Sequence, residues 1–290
     1  MKLTKPRKRC IFCEGASGTS ISKEHVLPDW LRELFPRSPS DTHTMGVVNW
    51  VELETGGLAP ATSTHTRQGQ ASTRKVRFVC EKCNHGWLST MEERTKPLLK
   101  RLVVGDRTYL SIIEQSALAT WAVKTVMTAE FIEPTKSMVP QDHHTFLMET
   151  QSPPAGWSIW IAGNGGTRWA TGIRHFSAQL NLLVIDEAEN KVADHQVYDI
   201  QSTTIGIGRL LIHSISCPPP GNMYALSHPD KSDLKPIWPL TGNTLYWPPT
   251  RYLNDDDVDI ISTNLERSAE VRASMEGFTP PTVSRVTPVA

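Results

Sequence analysis

Apolar positions along this chain follow two periods, and the switch between them divides strand-like from helical sequence. Lys75-Val76-Arg77-Phe78-Val79 alternates polar with apolar and predicts a strand that runs into Cys80. Residues 21–27 read as a shorter extended stretch, ended by Pro28, and residues 28–35 as a brief helix burying Trp30, Leu31 and Leu34. After Cys83 the spacing becomes helical: Trp87, Leu88, Met91, Thr95 and Leu98 fall near one face, and Pro97 is expected to break or restart that helix. Residues 111–131 are apolar nearly all round, through Ile113, Ala117, Trp121 and Val126, which predicts a helix central to a core. From Trp157 the pattern returns to short β-like runs at 158–162, 168–173, 178–185 and 203–212. A last helix is expected over 253–276. It opens on Asp255, Asp256 and Asp257, with Val258, Ile261 and Leu265 at helical spacing.

Between the first two strands, residues 36–73 are rich in Ser, Thr, Gly and Pro. So long a stretch without periodicity reads as an insertion, with one hairpin near residues 46–53. A boundary near Gly105-Asp106 gives two regions, 1–104 and 105–290, within a length that suits two ordinary domains.

Composition adds an asymmetry. The net charge of zero divides into +7 over residues 1–110 (18 Lys and Arg against 11 Asp and Glu) and −7 over the remainder (12 against 19). A basic first part suits a partner that carries phosphates, because neutralising them releases counterions. Lys2, Lys5, Arg7, Lys8 and Arg9 form a basic arm that reads equally as a phosphate contact or a solvated tail. The sequence has no apolar run of 18 residues and no signal-peptide pattern, so a cytoplasmic protein without membrane attachment is expected.

The five cysteines carry the most specific signal. Four lie in two matched pairs, Cys10-x-x-Cys13 and Cys80-x-x-Cys83, a spacing suited to a tetrahedral zinc and unlike a secreted disulfide framework. Cys217 is left over and reads as a small buried hydrophobe. Glu24-His25 lies between the pairs, and Asn84-His85 follows the second. A carboxylate and an amide oxygen suit Mg²⁺ or Mn²⁺, and a histidine serves as a base near neutral pH.

Cys-x-x-Cys, then Glu-His-Val-x-Pro, then Cys-x-x-Cys-Asn with a following Trp, resembles the HNH endonuclease family in its zinc-stapled branch, over residues 10 to about 96. The resemblance implies an N-terminal ββα-metal domain with structural zinc knuckles, and the helical and β-like runs after residue 105 read as a larger mixed α+β accessory region, so an α+β chain is expected. The resemblance also implies a structural Zn²⁺ on Cys10, Cys13, Cys80 and Cys83, a catalytic Mg²⁺ or Mn²⁺ on Glu24 and Asn84, and His25 as general base. The implied activity is hydrolysis of phosphodiester bonds in DNA, in families that serve mobile elements, restriction or phage defence. A homodimer is compatible with it. Two departures stand out. The cysteine pairs are 66 residues apart, and no Asn occupies residues 74–79, where the family carries its middle residue; Asn49 is the one Asn within the insertion. The alternative is a zinc-dependent module that binds nucleic acid without cutting it.

Other residues have competing readings. Asn84 at a helix start also suits an N-cap. Arg74, Lys75, Arg77 and His85 are candidate nucleic-acid contacts, and the three basic residues equally suit the solvent face of a strand. Residues 255–257 read as acids favoured by a helix dipole. His143-His144 reads as part of a surface loop, and Trp157, Trp160 and Trp169 as core residues of strands.

Overall fold

The computed structural model describes residues 9–16, 18–35, 42–52, 58–68, 73–132, 139–186, 191–217 and 233–273. The fold is mixed α+β. In chain order it comprises β1 (Ile21–His25), α1 (Leu31–Leu34), β2 (Thr42–Glu52), β3 (Leu58–Gln68), β4 (Lys75–Cys80) and α2 (Glu81–Cys83). A π-helical turn (Asn84–Leu88), α3 (Ser89–Val104), β5 (Thr108–Leu110) and α4 (Ile112–Ala129) follow. Then come α5 (Gln141–Thr150), β6 (Trp157–Asn164), β7 (Thr171–Asp186), β8 (Lys191–Ile207) and β9 (Leu210–Ser216). The order closes with β10 (Lys235–Trp238), β11 (Leu245–Trp247), β12 (Tyr252–Leu253) and α6 (Asp255–Ala273). No helix among the described residues is long and apolar enough to cross a membrane.

β1 and β4 pair antiparallel, and the helical segment that starts at Glu81 follows β4 without a loop. The insertion holds one hairpin, as its composition predicts, although β2 and β3 pair from Thr42–Gln68 to Glu52–Leu58 and so exceed the expected length. The larger sheet runs β10-β6-β9-β8-β7, with β12 parallel to β6.

The helix predicted over 111–131 forms the centre. Ser111 caps α4 in a reciprocal capping box with Glu114. Every residue from Leu118 to Ala129 is buried. Such burial requires each polar group on the helix to find a partner. Thr120 and Thr125 donate to the carbonyls of Ser116 and Trp121, each at 2.9 Å. α4 packs against α3 on one side and against the sheet at β9 and β10 on another. One buried cluster joins Phe12, Leu27 and Leu99 to Trp121, Trp157, Ile212 and Trp247, so residues on both sides of Gly105 share a continuous apolar interior.

Several elements differ from the sequence expectation. Pro97 sits inside an uninterrupted α3, because burial of Leu98, Leu99 and Leu102 outweighs one lost backbone hydrogen bond. The discontinuity lies at Gly86 instead, whose ψ of −111° is non-helical. The run at 203–212 is two strands, β8 ending at Ile207 and β9 starting at Leu210, joined by the two-residue turn Gly208-Arg209. Gly208 has φ +53°, and a Cβ there would collide with the Val103 carbonyl and the Phe35 ring. Arg209 N–H donates to that same carbonyl at 2.8 Å, tying the β8–β9 turn to the end of α3.

His143 and His144 lie in α5 rather than a loop, since Pro140 and Asp142 suit a helix start and Leu147 buries its inner face. The acid-rich start of α6 behaves as expected of a helix terminus: Asn254 and Asp257 cap reciprocally, and Arg168 pairs with Asp256 and Asp259. Trp157 and Trp169 are buried and Trp160 packs against two apolar clusters; Trp169 precedes β7 rather than lying in it.

Two fold predictions follow from these packings. Gly208→Ala should lower unfolding free energy by about 1–3 kcal/mol in urea titrations, because the site has neither the space nor the backbone angle for a side chain. Burial holds the His144 and His175 pKa values down at about 4, against about 6.5 unfolded. Their neutral forms therefore contribute stability that is complete above pH 6.5 and is lost as pH falls toward 4. Stability curves should decline across that window, and His175→Gln, if it folds, should decline less.

Candidate active site

The chain before β1 makes a tight turn. Glu14 N–H donates to the Cys10 carbonyl at 2.9 Å, and Glu14 and Gly15 both adopt positive φ. Ile11 N–H donates to the Phe78 carbonyl, which fixes this turn on β4. Cys80 ends β4 and Cys83 ends α2. The sulfurs of Cys10, Cys13, Cys80 and Cys83 lie within 4.8 Å of one another, with 3.6 Å between Cys13 and Cys80. A zinc with four thiolates requires sulfur–sulfur separations of about 3.8 Å, so the quartet is able to hold one. Burial pushes the Cys10 and Cys83 thiols up, and Cys10 adds to the effect at Cys83. Without a cation these groups stay protonated, and metal binding must release protons. Cys217 is fully buried and its thiol is pushed up to about 11, which suits an inert core residue.

An open cleft of about 180 Å³ lies beside this quartet. Glu24, His25, Asn84 and His85 all line it. Neighbours on a regular strand diverge. Here the β1–β4 register slips by one residue between Ser22–Val79 and Glu24–Val76. Such a bulge increases local twist, and Glu24 and His25 both reach the cleft.

Asn84 does not cap a helix: α2 begins three residues earlier, and the Asn84 Nδ2 donates across to Ser22 Oγ (2.9 Å) and the Lys23 carbonyl (3.3 Å). This orientation leaves Oδ1 as the amide atom suited to a cation. His85, on the following residue, is exposed.

His25 Nε2 lies 3.1 Å from Asp29 Oδ1, across the turn made by Pro28. Asp29 and Glu24 favour the imidazolium, but burial and the Lys75 ammonium outweigh them, and the His25 pKa is lowered. Its imidazole is therefore neutral at pH 7. A hydrogen bond from Arg32 holds the Asp29 carboxyl below its ordinary value. Lys75 faces His25 in the β1–β4 register, and it and Arg77 are exposed; the Arg74 carbonyl accepts from Val26. None of these three basic residues lines the cleft. Asn49 pairs with Ala61 in the inserted hairpin. Lys2, Lys5, Arg7 and Lys8 lie outside the described residues.

The structure adds three residues to the expected set. Asp29 lies four positions beyond His25. Glu92 lines the cleft from α3, and burial, with Glu24 and Glu93, raises its pKa against the opposing charge of Lys124. Lys124 reaches from α4 to Glu24: the Nζ–Oε1 distance is 3.2 Å, with side-chain exposures of 1% and 8%. The signal for Lys124 was present in the sequence, as the single charge in the apolar run 117–129.

No family model, curated protein or solved structure matches this chain.

The cysteine quartet generates one prediction. Elemental analysis of freshly purified, reduced protein should find about one tightly held zinc per chain. Cys83→Ser should lose it and melt at a lower temperature.

Proposed function

We propose that this chain is a zinc-stapled endonuclease of the HNH kind that hydrolyses phosphodiester bonds in DNA. The observation that carries this reading is the convergence of Glu24, His25 and Asn84 on one cleft beside the cysteine quartet. These residues are up to 60 positions apart, and two of them reach the cleft through a bulge in an otherwise regular ladder.

In this reading the quartet holds a structural zinc that clamps the turn before β1 to the start of the helix. His25, neutral at pH 7, takes the proton of the attacking water. Asp29 lies against Nε2, which leaves Nδ1 for that transfer, and it stabilises the imidazolium that forms. The Glu24 carboxylate and the Asn84 Oδ1 would hold a Mg²⁺ or Mn²⁺. When bound, that ion stabilises charge on the phosphoryl and leaving oxygens. The oxygen donors on the cleft wall suit a hard cation, and Glu92 adds a carboxylate to them. Lys75 and Arg77, exposed on β4, suit a phosphate backbone passing the His25 end of the cleft. A cytoplasmic setting suits thiols that must stay reduced to hold zinc.

A second reading has its own support. Lys124 already neutralises Glu24, and a cleft without a strong cation site would bind nucleic acid without cutting it.

Nicking of supercoiled plasmid in Mg²⁺ or Mn²⁺ separates the two. Wild type should cut, and His25→Ala should cut about 100-fold or more slowly. The wild-type rate should rise with pH and level off by about pH 7, because the His25 pKa is below its ordinary 6.5. Equal cutting by the His25 variant would overturn the mechanism. Salt-sensitive DNA binding with no cutting by wild type would establish the second reading.

A further inference from the structure

Lys124 is among the most buried side chains of the molecule, and it comes from the central helix rather than from the strand–strand–helix unit that carries the cleft. Its ammonium contacts Glu24 Oε1. The next carboxylate along the cleft, Glu92, also experiences its charge. The donor set therefore has an unusual balance. Glu24 contributes one negative charge, Lys124 cancels it, and Asn84 contributes a neutral oxygen. A dication meeting Glu24 and Asn84 finds no net charge on that pair, and Glu92 and Glu93 are the further carboxylates on the cleft wall.

Resting on the nuclease reading above, we infer that Lys124 is a positioning residue that stands in for a divalent cation at Glu24. It holds the carboxylate oriented in the free protein, and a cation binds firmly only when a nucleic-acid phosphate enters with it. The phosphate supplies the negative charge that Lys124 removes. An ammonium on the far side of one carboxylate lies only a few ångströms from a cation on the near side. At an effective dielectric of about 20, that repulsion weakens binding by a factor of ten or more.

The test is Mn²⁺ binding to the full, zinc-loaded chain at pH 8 without nucleic acid, read from the electron paramagnetic resonance signal of free Mn²⁺. Lys124→Met should bind Mn²⁺ at least tenfold more tightly than wild type, and the double variant Glu24→Gln, Lys124→Met should lose that gain. Unchanged or weaker binding by folded Lys124→Met overturns the inference. Because that variant leaves a carboxylate buried alone, a second measurement uses wild type only. Its Mn²⁺ affinity, corrected for ions on the duplex, should tighten at least tenfold with a phosphorothioate-blocked DNA duplex, and equal affinity overturns the inference. Neither readout is cleavage. A Lys124→Met gain in a protein that does not cut would overturn the nuclease reading alone. Cutting with unmoved Mn²⁺ affinity would overturn this inference alone.

Discussion

An ammonium group cannot remain charged in a protein interior without a counter-charge, and among the described residues Lys124 has one partner at ion-pair distance, Glu24. That requirement constrains how β1 meets the central helix, within the apolar interior the two regions share. β1 must present Glu24 toward α4, and once it does, His25 is left at the cleft and the β1–β4 ladder is set against the central helix. Removing one member of such a pair costs about 3–5 kcal/mol, whereas replacing both by apolar groups is often neutral. The pair is therefore a poor device for stability alone. Because Glu24 also lines the cleft, the pair has a use that two leucines would not serve.

The cysteine quartet solves a different problem. The elements that line the cleft enter the chain more than 50 residues apart, and β1 and β4 share only a five-residue ladder with a slipped register. Four sulfurs drawn from both ends give this small unit a closed centre. The Ile11–Phe78 and Glu81–Ser20 backbone hydrogen bonds extend the same seam on either side. Asn84 extends it again by bonding to Ser22 and Lys23.

Much of this was legible in the residues. The paired Cys-x-x-Cys spacing, the alternation over 75–79 and the apolar helix at 111–131 each express a local rule, and each matches the fold. The misreadings have physical causes of their own. Pro97 breaks a helix only where packing does not compensate, and the rule sees no packing. The turn at Gly208-Arg209 takes only two residues between buried strands, so a two-residue break was all the sequence offered. Glu24 and His25 both line the cleft where the β1–β4 register slips, and that slip depends on the partner strand as well as on β1. Lys124 and Asp29 went unassigned because their meaning lies in contacts made across a turn or between helix and strand. A lone charge in an apolar helix announces that a partner exists, but not where.

The inserted hairpin β2–β3 enters after α1 and leaves just before β4, so both its ends open on a unit already closed by the quartet and the β1–β4 ladder. For a loop closed in this way, the entropy of closure grows only logarithmically with length, by about 0.6 kcal/mol per doubling. The connection is thus a point of evolutionary freedom. Lineages or engineers can change its length at small entropic expense, provided the packing of β2 on β7 and of β3 on α6 is kept, without re-registering the β1–β4 ladder.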